Sequence, residues 1–242
     1  MKSRAASLIS IILITSFLHA DRCFSQSRSK PITSQEVFQH FDQLYKVDAR
    51  LVSGDLYQTP VMSKATGHPF FFNSNWKIGS VVIDGIQFDS LQIRYDVYSN
   101  QLILNTIDIT NSYLQVILKN EHIVSFTMDG HAFKPYPDKF LLDEISFCEV
   151  MVDGEIDLLF VQTKKLKVTA GGLADYTYQI NKKRTLELNN QLIRYRGRRT
   201  LYKLFPELKP KLHEYIRQHK LAYRTIPLDE HVNLIAYCNS LL

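Results

Sequence analysis

The chain has 242 residues, with 29 Lys and Arg against 24 Asp and Glu, a hydrophobic share of 45%, and only 9 Gly, 8 Pro and 3 Cys. That length suits one large domain or two small ones, and the apolar content supports an ordinary core. Scarce Gly and Pro exclude collagen-like and low-complexity chains, and three cysteines exclude a disulfide-dense miniature scaffold.

Lys2 and Arg4 precede Ala5 to Ala20, a stretch of 16 residues rich in Leu and Ile and free of Lys, Arg, Asp and Glu. A charged start and a short apolar run form the pattern of a secretory signal peptide. Cleavage after Ser25 places Cys23 and Ser25 at the two small-residue positions, and Ala20 is the alternative end. The run is shorter than the roughly 20 residues that span a bilayer. Arg22, not a small residue, precedes Cys23, which argues against a lipoprotein. No later stretch is long and apolar enough to cross, so no transmembrane segment is expected after cleavage. The expected location is extracytoplasmic, with the periplasm preferred and a secreted or envelope-associated protein as alternatives.

Thr33 to Lys46 has helical spacing of Val37, Phe38, Phe41, Leu44 and Tyr45, with Thr33 and Glu36 placed as a capping box. From Leu56 to Tyr195 the pattern changes to about a dozen short strands separated by turn residues. Asp84-Gly85, Asp129-Gly130 and Asp153-Gly154 each read as a two-residue primed turn joining a hairpin, because Gly tolerates the positive φ required. Leu91, Ile93, Tyr95 and Val97 alternate with Gln92, Arg94 and Asp96, the period of a strand buried on one face. Gly171-Gly172 is a flexible point at which the sheet can divide. After Arg199 helical spacing returns. A first helix stops at Pro206, a second opens near Pro210 and runs towards Leu221, and Asp229 is placed to cap a third over Glu230 to Leu242.

Closely spaced strands without intervening helices predict a mainly β fold with helices (α+β) and an antiparallel sheet. The sheet forms either a sandwich or a curved, partly closed barrel, with one N-terminal helix and two or three short C-terminal ones. The boundaries are 1–25 for the signal peptide, 26–199 for the β-rich body with its N-terminal helix, and 200–242 for a helical segment packed on the body. Cys148 and Cys238 can pair in an oxidising compartment, or each can be a small buried residue.

The run Gly67-His68-Pro69-Phe70-Phe71, then Trp76, Gly79-Ser80-Val81, Asp84-Gly85, Phe88 and Arg94 to Tyr98, resembles a family of exported, uncharacterised β-rich proteins of Bacteroidota. Glu149 to Gly154, Leu201 to Pro206, Tyr215-Ile216, Leu221 and Tyr237 to Leu241 continue that resemblance in the same order. It implies an extracytoplasmic location and a β-rich body, and it brings no established activity or catalytic residues. Cys148 stands where the resemblance implies an aromatic, and Cys238 where it implies a second Tyr. Both departures fit core packing, the preferred reading, and their occurring together is the argument for a disulfide between Cys148 and Cys238.

No GxSxG, HExxH, GxxxxGK[ST] or GxGxxG pattern is present, so the reading leans away from an enzyme, leaves open acid/base groups distant in sequence, and expects no cofactor. His213 and His219 fall on different helix faces, and Asp153, Glu155 and Asp157 lack an EF-hand loop, so no metal site is expected. His68, before Pro69 in a turn, is read as a hydrogen-bonding or surface residue.

Charge is unevenly distributed: residues 26–159 carry a net −7, residues 160–224 a net +12 and the last eighteen −2. Lys182, Lys183, Arg184, Arg194, Arg196, Arg198 and Arg199 are the candidate binding residues, the last run expected as a strand with Arg194, Arg196 and Arg198 on one face. Such a row attracts polyanions, or it can pair with the acidic first half. The partners it fits are an outer-membrane or other envelope protein, anionic lipid, or acidic cell-wall polymer; the compartment disfavours nucleic acid. The leading expectation is a non-enzymatic periplasmic or envelope protein that binds or scaffolds a partner. The alternative is a carrier of an apolar ligand or lipid in a cavity lined by Phe70, Phe71, Phe72, Trp76, Phe88, Tyr95 and Tyr98. An envelope hydrolase ranks third.

Overall fold

The period-two pattern becomes eleven strands in a computed structural model that describes residues 48–58, 65–107, 110–136, 146–169, 175–221 and 227–242. The expected signal peptide and the expected helix Thr33 to Lys46 lie outside those residues. The strands are β1 (Ala65–Thr66), β2 (Lys77–Ile83), β3 (Ile86–Asp96), β4 (Gln101–Ile107), β5 (Tyr113–Ile117), β6 (Ile123–Met128), β7 (His131–Tyr136), β8 (Ser146–Val152), β9 (Asp157–Thr169), β10 (Asp175–Leu188) and β11 (Gln191–Arg194). They form one sheet in the order β1-β10-β9-β8-β7-β6-β2-β3-β4-β5, with β11 also on β10. The fold is mainly β with short helices, as the spacing of the strands predicts.

The sheet is not purely antiparallel. β1 runs parallel to β10, with Ala65 opposite Tyr176. A parallel pair needs a long crossover, and the whole intervening sheet supplies it. Gly171-Gly172 lies outside the described residues; on either side of it, β9 and β10 pair from Glu187 opposite Asp157 to Asp175 opposite Thr169.

Asp84 (φ 49°) with Gly85 (φ 81°), and Asp129 (φ 55°) with Gly130 (φ 81°), make the primed turns that the Asp-Gly pairs predict. Asn189 and Asn190, at φ 50° and 60°, make a further one between β10 and β11. Asp153-Gly154 does not. There the connection runs over 153–156, Gly154 has no positive φ, and its N–H donates to Asp157 Oδ1 at 3.1 Å. Ile156 is fully buried, and drawing it inward takes the extra residues.

Helix α1 (Ala49–Val52) is capped by Asp48, and three helices follow the sheet: α2 (Arg198–Leu204), α3 (Lys209–Gln218) and α4 (Leu228–Asn239). Pro210 sits in the first turn of α3, as expected. Asp229 does not cap α4; Pro227 holds the cap position, and Asp229 and Glu230 lie in the first turn, where their charges complement the helix dipole.

One core cluster joins Ile93, Tyr95, Leu102, Phe126, Phe133, Phe147 and Phe160 on one face of the sheet. A second packs Leu201, Leu212, Ile216, Leu234, Ile235 and Cys238 of the helices on Ile156, Leu158 and Leu186. Its polar lock is Asn239, whose side chain accepts from Ile156 N at 2.9 Å and donates to Ile156 O at 3.0 Å. The carboxamide thereby stands in for a strand partner. It lies so close to Gly154 that a Cβ there would meet Nδ2 at 2.5 Å.

Replacing Asn239 by Ala leaves both polar groups of Ile156 without their partner, and an expected loss of roughly 2–3 kcal/mol follows. Gly154→Ala should destabilise by displacing the same carboxamide. Denaturant unfolding measures both; a wild-type midpoint for Asn239→Ala would remove the lock.

Candidate functional site

Segment 68–71 carries the Gly-His-Pro-Phe-Phe run to the end of β3. Phe71 N donates to Tyr95 O at 2.9 Å and Val97 N to Pro69 O at 3.1 Å, so this segment pairs with β3 like a short strand. Its opposite side meets β9 through side chains. Lys164 Nζ donates to Phe70 O at 2.6 Å and to His68 O at 2.8 Å, and lies 3.3 Å from His68 Nδ1. Gln162 Nε2 donates to Phe71 O at 2.8 Å, while Lys164 N donates to Val97 O at 3.3 Å. β3 and β9 are separated in the sheet by four strands, so these contacts require strong curvature. The structure is therefore a single curled sheet whose ladder does not close, seamed by segment 68–71.

Asp96 anchors the neighbouring turn. Its carboxylate, fully buried, accepts from Tyr57 Oη at 2.8 Å, Tyr98 N at 2.8 Å and Ser99 N at 2.9 Å. The Arg94 guanidinium lies between the rings of Phe70 (3.7 Å) and Trp76 (4.1 Å) and donates to Ser74 O at 2.8 Å. Burial pushes the Lys164 amine down to about 8, against the pull of Asp96. Burial, and then the Lys164 charge, hold His68 below its ordinary value, which keeps Nδ1 free to accept. The Tyr57 phenol is raised by burial and by its bond to Asp96. Lys164 is only 6% exposed and is surrounded by acceptors, so it works as a tie and not as a nucleophile.

A gap opens beside this seam. β8 pairs with β9 only as far as Phe160, while Ser146 and Phe147 pair back to Tyr136 and Pro135 of β7. The stretch of β9 from Val161 to Leu166, which β8 does not reach and whose Lys164 N–H bonds Val97 O, borders a half-open gap of about 750 Å³ with the turn from Val97 to Asn100 and the start of β8. Tyr95, Tyr98, Asn181, Lys165 and Lys183 also line it. Tyr95 Oη donates to Asn100 Oδ1 at 2.7 Å and accepts from Phe147 N at 3.3 Å, which holds the floor. Thr163, Lys165 and Asn181 have no side-chain hydrogen bond or ion pair among the described residues, so their polar groups are open to a ligand.

The seven expected basic residues do not form one row. β11 ends at Arg194, Gly197 turns the chain at φ 83°, and Arg198 and Arg199 begin α2. Tyr195 keeps a bond to β10, its N–H donating to Arg184 O at 3.1 Å, and is buried on the Ile193 side with its hydroxyl 3.1 Å from His231 Nδ1; the chain leaves the sheet after it. In the strands, Lys183 shares a face with Thr185 and hence with Arg194, whereas Lys182 and Arg184 point to the other side. Lys183 lies over the Tyr136 ring at 5.6 Å and Lys182 over Phe160 at 5.8 Å. Lys182, Lys183, Arg184, Arg194, Arg196 and Arg199 form no ion pair among the described residues. Pairing with the chain's own acids therefore does not neutralise them there.

Cys148 and Cys238 are free and buried, which fits the small-core-residue reading and corrects the alternative of a disulfide. Cys148 packs with Tyr136, Leu159 and Val161, and Cys238 with the helices on the opposite face, so the sheet itself separates them. Burial pushes these thiols up to about 12 and about 11. Of the seven aromatics expected to line an apolar cavity, Tyr95 and Tyr98 reach the gap, and Phe70, Phe71, Phe72, Trp76 and Phe88 pack in core clusters. No group of three or more His, Cys, Asp or Glu among the described residues is placed to hold a metal ion. No helix among them is long and apolar enough to cross a membrane.

Thr163, Lys165, Asn181 and Ser146 were not candidates in the sequence. Strand alternation alone separates Lys165 from the buried Lys164; which strand edge stays open is set by the short reach of β8. Comparison with family models, with curated proteins and with solved structures finds no match for this chain.

Two pH effects follow. The unfolded chain holds the Lys164 proton to about 10.5 and the folded chain releases it near 8, so this group's contribution to stability rises with pH across that window. Lys164→Met should abolish that rise and lower overall stability by roughly 2–4 kcal/mol through the carbonyls it strands. Burial and the Arg184 charge push His231 down to about 4. Stability is expected to fall by up to about 3 kcal/mol as pH drops from 6.5 towards 4, and His231→Gln should lack this fall. Unfolding free energies measured across pH test both; unchanged profiles in the variants would contradict the assignments.

Proposed function

We propose that the chain is an exported, non-enzymatic binding protein of the cell envelope that holds an anionic ligand in the gap beside β9. The observation that carries this reading is the lining: Lys165 and Lys183 stand on the border of a gap of about 750 Å³ together with Thr163 and Asn181, whose polar groups have no partner among the described residues. Ammonium groups without a carboxylate partner among the described residues, set on a concave surface, attract anions. The signal-like first 25 residues, the net +12 of residues 160–224 and the resemblance to exported Bacteroidota proteins support the location and the sign of the ligand. An apolar cargo fits less well, because most of the aromatics that would line its cavity fill the core instead.

Co-sedimentation of the mature chain with isolated cell envelopes, at about 0.05 M and 0.5 M salt, tests the reading. Retention is expected to fall several-fold at the higher salt and in the double variant Lys165→Gln/Lys183→Gln. Retention indifferent to salt and to both lysines would refute it. Loss only in Arg194→Gln/Arg196→Gln/Arg198→Gln/Arg199→Gln would move the contact to the start of α2.

A further inference from the structure

Lys165 and Lys183 leave the same face of the β9–β10 pair at separated positions. Lys183 stands opposite Val161, Asn181 opposite Thr163, and Lys165 opposite Gln179. Lys165 is therefore four residues from the Lys183 register, about 13 Å along the strand. Lys183 also leans away from it, over the ring of Tyr136, whose hydroxyl lies 3.2 Å from Thr185 Oγ1. The two charges thus flank the gap instead of converging on one small anion.

Between them, Thr163 and Asn181 form a cross-strand pair with hydroxyl and carboxamide groups that find no partner among the described residues. Together they offer donors and acceptors at close spacing, the complement of neighbouring sugar hydroxyls, each of which donates and accepts. Tyr98, 38% exposed, adds an aromatic surface at the rim, its ring held edge-on to Tyr178 with centroids 5.5 Å apart. Such a ring offers an apolar face to the C–H side of a pyranose. An extended acidic peptide would use strand addition at the β9 edge. That edge is already taken at Lys164, whose N–H donates to Val97 O.

We infer that the ligand of this gap is an extended acidic saccharide, with anionic groups at the two lysines and sugar hydroxyls on Thr163 and Asn181. The inference rests on the anion-binding reading above and specifies its ligand. The test is calorimetric titration of the mature protein with four probes: an oligomer of galacturonic acid, a neutral glucose oligomer of equal length, polyglutamate and inorganic phosphate. The galacturonate oligomer is expected to bind, about tenfold more weakly to Lys165→Gln and to Lys183→Gln, and several-fold more weakly to Asn181→Ala and Tyr98→Ala. These side chains lie outside the core clusters, and circular dichroism confirms that each variant is folded. Lysine-dependent binding of polyglutamate or phosphate without the galacturonate oligomer would overturn the saccharide and leave the anion site standing. Equal binding of the neutral oligomer, or galacturonate binding untouched by the four variants, would also overturn it. No binding by any probe would remove both.

Discussion

The buried ammonium of Lys164, bonded to the carbonyls of His68 and Phe70, holds the curl of the sheet. A lysine head in the interior is costly unless acceptors surround it, and segment 68–71 supplies them from its backbone. The same segment uses its other side to pair with Tyr95 and Val97. One side of the seam is thus a peptide ladder, and the other is built from the side chains of Gln162 and Lys164. A full strand in that place would fill the space beside β9. A short segment leaves it open, and the gap with its lysines lies there.

Neighbouring residues on a strand face opposite ways, and this divides the basic half of the chain. Lys164 is turned inward to the seam while Lys165 lines the cavity, and Lys182 and Lys183 part in the same manner across β10. A charge cluster in sequence therefore becomes charges on two faces, each with a different neighbourhood. Lys165 and Lys183 border the gap beside β9 with Thr163 and Asn181, whose side chains have no partner among the described residues. The others lie over aromatic rings, as Lys182 does on Phe160, or flank the start of α2.

The helices complete the opposite end. Asn239 of α4 gives Ile156 the two hydrogen bonds that a strand would provide, and Tyr195 turns inward to His231. The sheet keeps Arg194 in β11, and the turn at Gly197 carries Arg198 and Arg199 into α2, so the arginine run is divided between strand and helix. Cys148 and Cys238 each fill a small space in their own clusters, on opposite faces of the sheet.

The sequence by itself determined the β-rich class, the hairpins at Asp84-Gly85 and Asp129-Gly130, and a helical segment of two or three helices after Arg199. These features rest on local causes: period-two burial, the positive φ of the turns, and Pro210 in a first helical turn. It showed the excess of positive charge but not its arrangement. Asp96 and Arg94 read as solvent-facing positions of an alternating strand, and the structure instead buries Asp96 against Tyr57 and stacks Arg94 between Phe70 and Trp76. Only the tertiary structure decided those partners, the role of the Gly67 to Phe71 run as a seam, and the open edge of β9. Each depends on residues brought together across about a hundred positions, as His68 and Lys164 are, and no short-range pattern encodes which strand ends early or what meets it.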